Sequence, residues 1–145
     1  MNPQFAATDI SSVLGLRGQP TATSVFSLME TIDRGLPVAA LDRVAGLVAP
    51  GDALFKYRVV PKASYGRRRT AHRLSVEEGL KLTRLARVWS LARDVWRTDA
   101  SARDFLFRPH AMLQGNKPVE VALRNEIGTE LVLDILSRLK YGVAA

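Results

Sequence analysis

The stretch SVEEGLKLTRLARVWSLARDVWR, residues 75–97, decides the fold class of this chain. The spacing of Ser75 and Glu78 predicts a capping box, in which each side chain accepts a hydrogen bond from the other residue's backbone N–H. After this start, apolar residues recur at helical spacing on one face; they are Leu82, Leu85, Trp89, Ala92 and Trp96. The sequence therefore predicts one long helix from Ser75 to about Arg97, with both tryptophans as core anchors.

Shorter helices are predicted on both sides of this long helix, separated by glycine and proline residues. They are expected at 24–34, 37–49, 52–58, 62–70, 100–107, 118–123 and 125–140. The last of them should bury one apolar side, made of Leu131, Val132, Ile135, Leu136 and Leu139. Alternating strand patterns are nearly absent, so the fold class is all-α. The short helices between residues 38 and 74 suit a helix-turn-helix unit.

Positive charge is concentrated in the middle of the chain. The 145 residues include 21 Lys+Arg and 14 Asp+Glu, which gives a formal net charge of +7. Residues 51–108 hold all of the excess, and no acid occurs between Asp52 and Glu77. That gap contains seven cations: Lys56, Arg58, Lys62, Arg67, Arg68, Arg69 and Arg73. A surface of one sign attracts polyanions, so nucleic acid is the favoured partner, and a solvated basic face is the alternative.

Within this basic region, the segment PKASYGRRRTAHR at residues 61–73 is interpreted as a helix that faces phosphates. Contact with phosphates needs charge but little geometry, whereas reading of bases needs both. The residues expected to face DNA are Lys62, Ser64, Tyr65, Arg67, Arg68, Arg69 and Arg73.

The patterns required for catalysis, metal binding and membrane insertion are missing. The chain has no cysteine, and its two histidines, His72 and His110, form no HExxH-type pair. The glycine-containing segment at residues 14–18 lacks the Lys-Ser/Thr ending of a phosphate-binding loop. No apolar run is long enough to cross a bilayer, and the first residues lack the layout of a signal peptide. We therefore expect a cytoplasmic protein that is not an enzyme and that uses no cofactor and no metal.

Several motifs from residue 35 onwards occur in an order that resembles one known family. They are GLPVAAL at 35–41, RRR at 67–69, RLSVEE at 73–78, LTRLARV at 82–88, LQGNKP at 113–118 and GTELVLDILSRLKYGVAA at 128–145. Together these motifs resemble the Xre/MbcA/ParS-type antitoxins, which are paired with toxins of the RES-domain class. The resemblance covers about three quarters of the chain.

The resemblance implies a helix-turn-helix-like lobe, expected at residues 24–98, and a toxin-binding lobe, expected at 99–145. Residues 1–23 carry Pro, Gly, Thr and Ser with little periodicity, so a partly ordered lead-in is expected there. It implies a RES-domain toxin that either degrades NAD or transfers ADP-ribose, whose NAD pocket the closing segment of the antitoxin blocks. Operator DNA is the second implied partner, bound by a homodimer within a larger toxin–antitoxin complex. The residues expected to bind the toxin are Asn116, Arg138, Lys140, Tyr141, Gly142, Val143, Ala144 and Ala145.

The chain departs from the family pattern at four positions. Val59 stands where the turn often has glycine, and Gly66 interrupts the expected recognition helix. Gln114 replaces a glycine of the later loop, and Lys117 replaces its common threonine. The alternative function is that of a stand-alone basic helix-turn-helix transcription regulator without a toxin partner. That alternative explains the charge but leaves the neutral final lobe without a role.

Overall fold

The computed structural model describes residues 7–16 and 24–142, and all regular elements in these ranges are helices. The all-α prediction is confirmed. Short 3-10 turns occur at Phe55–Arg58 and Ala111–Leu113. The α-helices are α1 (Ala7–Leu14), α2 (Val25–Arg34), α3 (Val38–Val48), α4 (Lys62–Ala71), α5 (Val76–Trp96), α6 (Asp99–Phe107), α7 (Pro118–Arg124) and α8 (Glu126–Lys140).

The long helix α5 lies at the centre of the fold, where α1, α2, α3, α6, α7 and α8 pack against it. Its capping box forms as predicted: the Ser75 hydroxyl accepts from the Glu78 N–H, and the Glu78 carboxylate accepts from the Ser75 N–H. Trp89 is buried and confirms its expected role as a core anchor. The prediction for Trp96 is wrong, because this side chain lies in the last turn of α5, stacks on Phe105 and remains 37% exposed.

Helix α1 forms within the predicted lead-in, where the sequence analysis expected no helix. Ile10, Leu14 and Leu16 are buried, and α1 packs against α3 and α5. The guanidinium of Arg43 fixes the end of α1, because its Nε donates to the Val13 carbonyl at 3.1 Å. The remaining parts of the lead-in, residues 1–6 and 17–23, lie outside the described residues.

Helix α8 buries a face that is rotated from the predicted one. Val132, Ile135 and Leu136 are buried as expected, and Leu133 joins them. The predictions for Leu131 and Leu139 are wrong, since both side chains are exposed. Leu131 points away from the buried face, and Leu139 lies in the last turn, where α8 leaves the core.

A short backbone pairing ties the start of α3 to the end of α4. The Leu74 N–H donates to the Leu36 carbonyl at 2.8 Å, and the Val38 N–H donates to the His72 carbonyl at 3.3 Å. Gly35 stands beside this pairing with φ +98°, and a Cβ there would lie 2.8 Å from the Leu74 carbonyl oxygen. Both the left-handed conformation and the close approach require glycine at this position.

Candidate functional site

The cationic helix α4 lies on the surface and none of its residues is buried. One face is half-buried against the rest of the molecule and carries Ser64, Tyr65 and Arg68. The opposite face is exposed and carries Lys62, Ala63, Gly66, Arg67, Arg69 and Thr70. The residues predicted to face DNA are therefore divided between an inner and an outer face.

Tyr65 anchors α4 to the preceding elements. Its hydroxyl donates to the Asp42 carboxylate at 3.2 Å, and its ring meets that of Tyr57 edge-on, with centroids 5.6 Å apart. The ammonium of Lys56 lies 4.5 Å from the Tyr65 ring centroid, within the range of a cation–π contact. These contacts join α4 to α3 and to the 3-10 turn at Phe55–Arg58.

Arg68 joins α4 to the start of α5. Its Nε donates to the Glu78 carboxylate at 2.7 Å, and that carboxylate is also part of the α5 capping box. Burial of Glu78 acts to raise the pKa of its carboxyl group, but hydrogen bonds from Arg68 and Ser75 outweigh it. The pKa of Glu78 is therefore lowered below its ordinary value, and the ionised form stabilises the fold.

We expect Glu78→Gln to lower the free energy of unfolding by roughly 1–2 kcal/mol at neutral pH, because the charged hydrogen bonds are weakened. The folded-state pKa lies below the unfolded one, so this stabilisation is present above about pH 4.3 and is lost as the pH falls through the folded value. Urea unfolding at a series of pH values should show the variant and the wild type converging in acid. Glu77→Gln removes the same charge from an exposed neighbour and serves as the control. An equal deficit at every pH would contradict this expectation.

The exposed cations on and after α4 have no acidic partners among the described residues. Among residues 7–16 and 24–142, no carboxylate lies within 4.0 Å of Lys62, Arg67, Arg69 or Arg73, whereas Arg68 has Glu78 and Arg58 has Glu120. Arg67 contacts the Ser64 hydroxyl at 3.4 Å, and Arg73 donates to the Arg34 carbonyl at 3.0 Å. The outer face of α4 and the residues that follow it therefore present positive charge to solvent.

The two departures in the helix-turn-helix region leave its backbone regular. Val59 has φ −96° and ψ −49° and is buried, so its conformation does not require glycine. Helix α4 continues through Gly66, and a Cβ at that position would meet nothing within 4 Å. Neither residue breaks the turn or the helix.

The predicted toxin-binding residues lie in two places. At the end of α8, Arg138 pairs with Asp134 at 3.0 Å, and Lys140 pairs with Asp94 of α5. The hydrogen bond to Asp94 raises the pKa of Lys140 above its ordinary value. The side chain of Tyr141 is 57% exposed, and Gly142 follows with φ +70°.

Asn116 belongs to the loop before α7, where its amide donates to the Leu113 carbonyl at 2.9 Å. The remaining predicted toxin-binding residues, Val143, Ala144 and Ala145, lie outside the described residues. The structure therefore places Arg138 and Lys140 in the last turns of α8, each paired with a different acid, while Asn116 stabilises a separate loop.

The sequence analysis missed two apolar surfaces in the C-terminal half. On α8, Ile127 is 73% exposed and Leu131 is 51% exposed, and both line a groove of about 340 Å³. A second crevice, of about 310 Å³, is lined by aromatic and aliphatic side chains that include Trp96, Phe105 and Leu139. Leucine and isoleucine positions alone could not reveal these surfaces, because periodicity does not show which apolar residue lacks a neighbour.

The acids at the start of α8 form ion pairs with α5. Glu126 and Glu130 both pair with Arg87, at 3.5 and 3.1 Å. Arg84 lies 3.8 Å from Glu126. These ion pairs connect α5 to the start of α8.

Within the described parts of the chain, no helix is both long and apolar enough to span a membrane. In the same residues, no three histidine, aspartate or glutamate side chains lie close enough together to hold a metal ion.

Two family models match this chain. Residues 27–87 match the antitoxin Xre-like helix-turn-helix domain, and residues 91–142 match the antitoxin Xre/MbcA/ParS C-terminal toxin-binding domain. A comparison with curated proteins finds no match. The fold and the matches together define an antitoxin in which a helix-turn-helix domain is joined to a toxin-binding domain.

The chain belongs to the Xre/MbcA/ParS-type antitoxins. This finding confirms the resemblance and disfavours the stand-alone regulator, which has no use for a toxin-binding domain. Both matches extend into α5, so one helix serves both domains. The domain boundary expected between residues 98 and 99 stays a prediction.

Proposed function

We propose that this antitoxin inhibits a RES-domain toxin that consumes NAD, and that residues 140–145 block the toxin's NAD pocket. The geometry at the end of α8 supports this proposal. The ion pair between Lys140 and Asp94 fixes the last turn of α8 on α5, while Tyr141 projects an exposed ring beyond it. The exposed Ile127 and Leu131 offer apolar surface on the same helix for docking.

The toxin's reaction is either degradation of NAD or transfer of ADP-ribose to a target. Co-expression with the product of the neighbouring gene, scored for growth and NAD level, tests the proposal. Restored growth and restored NAD support it, and a neighbouring toxin that leaves NAD unchanged when expressed alone contradicts it.

The antitoxin also represses its own operon in this proposal, as a homodimer that binds operator DNA. The observation that carries this part is that Lys62, Arg67 and Arg69, on the exposed face of α4, have no described carboxylate within 4.0 Å. Phosphate oxygens are the partners that such a face attracts, since base recognition needs further donors and acceptors at defined positions. Tyr65 and Arg68, on the inner face, hold α4 in place, and Ser64 lies on the same half-buried face.

We expect the double variant Arg67→Gln/Arg69→Gln to bind duplex DNA from the region upstream of its gene more weakly and with less dependence on salt. If each arginine contacts one phosphate, the slope of log K against log salt should fall in magnitude by about 1.8. Fluorescence anisotropy over a salt series measures this slope. The matched control is Lys117→Gln/Arg124→Gln, which removes two cations from the toxin-binding half. A slope equal to that of the wild type would refute the assignment of α4.

A further inference from the structure

We propose that a cationic notch beside α4 binds a second DNA phosphate. The notch has a volume of about 330 Å³ and lies between the end of α2, the start of α3 and the two residues that follow α4. Its lining residues are Thr31, Arg34, Gly35, Pro37, His72 and Arg73. This inference rests on the proposed DNA binding and extends it to Arg34 and His72, which lie outside the cationic helix.

The charge of the notch suits an anion. Arg34 and Arg73 supply only hydrogen-bond donors, and no carboxylate lines the notch. Among the described residues, neither arginine has a carboxylate within 4.0 Å. Arg73 donates through Nη1 to the Arg34 carbonyl, and a guanidinium has five N–H donors, so most of its donors are available to a ligand. Arginine binds phosphate in this planar, multidentate manner.

The backbone around the notch is fixed before any ligand binds. The pairing of residues 36–38 with residues 72–74 sets the distance between the two sides. Gly35 has no side chain to fill the floor, and the buried Thr31 hydroxyl is bound to the Ser27 carbonyl. A notch of fixed shape loses little conformational entropy when it binds a ligand, which favours affinity.

The position of the notch favours a phosphate of the same DNA that α4 contacts. His72 is the residue that caps α4, and its N–H donates to the Arg69 carbonyl at 3.3 Å. The notch therefore begins where the exposed cationic face of α4 ends. The two guanidinium groups need only an anion and no particular base edge, so the expected contact is with a phosphate of the DNA backbone, independent of sequence.

The experiment uses the full chain and the same labelled duplex as the α4 test, with Arg34→Gln, Arg73→Gln and the two combined. We expect Arg34→Gln to lower the magnitude of the salt slope by about 0.9, the value for one phosphate. The slope of the combined variant should fall by no more than this value, because both arginines contact the same phosphate. Arg124→Gln, which removes an exposed cation from α7, should leave the slope unchanged.

Arg34→Gln is the decisive variant, since the Arg34 side chain makes no hydrogen bond with the described residues, whereas Arg73→Gln removes a bond to the Arg34 carbonyl. If Arg34→Gln behaves like Arg124→Gln while the α4 variant loses slope, the notch proposal is overturned and the function of α4 stands. A slope reduction equivalent to about two phosphates in the combined variant also overturns the proposal that the notch binds a single phosphate. If the wild type shows no salt-dependent binding, the proposed DNA binding fails and the notch fails with it.

Discussion

Gly128→Ala is expected to lower the free energy of unfolding by roughly 3 kcal/mol, at the upper end of the range for overpacking in a well-packed core. A Cβ at position 128 would lie 2.0 Å from the carbonyl oxygen of Val121 and 3.0 Å from its carbonyl carbon. The neighbour is backbone and not the end of a flexible side chain, so α7 and α8 would have to separate.

Two hydrogen bonds hold the backbone at the junction of α7 and α8. The Gly128 N–H donates to the Asn125 side chain at 2.9 Å, and the Thr129 hydroxyl donates to the Ala122 carbonyl at 2.7 Å. The Gly128 bond caps α8, and the Thr129 bond joins α8 to α7, so a displacement of α8 away from α7 weakens the Thr129 bond. The loss should appear in urea unfolding followed by circular dichroism, together with weaker toxin neutralisation.

The matched control for Gly128 is Gly66→Ala. The same methyl group added to α4 meets nothing within 4 Å, and glycine in an exposed helix interior is less favourable than alanine by about 1 kcal/mol. We therefore expect this variant to be slightly more stable than the wild type. A Gly128→Ala protein with wild-type stability would show that the α7–α8 corner tolerates separation.

The elements that the sequence predicts well are those with local signals. The capping box at Ser75 and the apolar stripe that follows lie within one helix, so α5 could be placed without knowledge of the fold. Gly35 and Pro37 similarly mark the end of α2 and the start of α3. Helix α1 carries too few apolar residues to be distinguished by period, and it becomes visible only through its packing on α3 and α5.

Candidate-site residues were predicted by charge, and charge alone does not reveal partners. Arg68 belongs to the same RRR motif as Arg67 and Arg69, yet it binds Glu78, ten residues further along the chain. Arg34 carried no signal in the sequence, because its place beside Arg73 depends on the backbone pairing between residues 36–38 and 72–74. The exposure of Leu131 likewise depends on which helices cover α8, and the sequence of α8 alone does not specify those packing partners.

Deletion of residues 141–145 is expected to abolish neutralisation of the toxin and to leave the fold intact. The described part of this segment contributes little to the core: Tyr141 and Gly142 are exposed, and the ion pair between Lys140 and Asp94 lies before the deletion. If the segment occupies the NAD pocket, its removal leaves docking surfaces on α8 in place but leaves the pocket open. Growth and NAD level on co-expression with the toxin measure the effect.

A point substitution tests the contribution of the Tyr141 ring separately from that of the remaining residues of the segment. Tyr141→Ala should neutralise the toxin less well than the wild type, whereas Leu54→Ala, which truncates an exposed apolar side chain in the helix-turn-helix domain, should neutralise it normally.

The deletion variant should keep the wild-type unfolding curve and the wild-type salt slope for DNA, because both depend on residues before 141. Cells protected by the deletion variant would refute blockage of the pocket. A deletion variant that loses DNA binding as well would assign residues 141–145 to the stability of the fold instead.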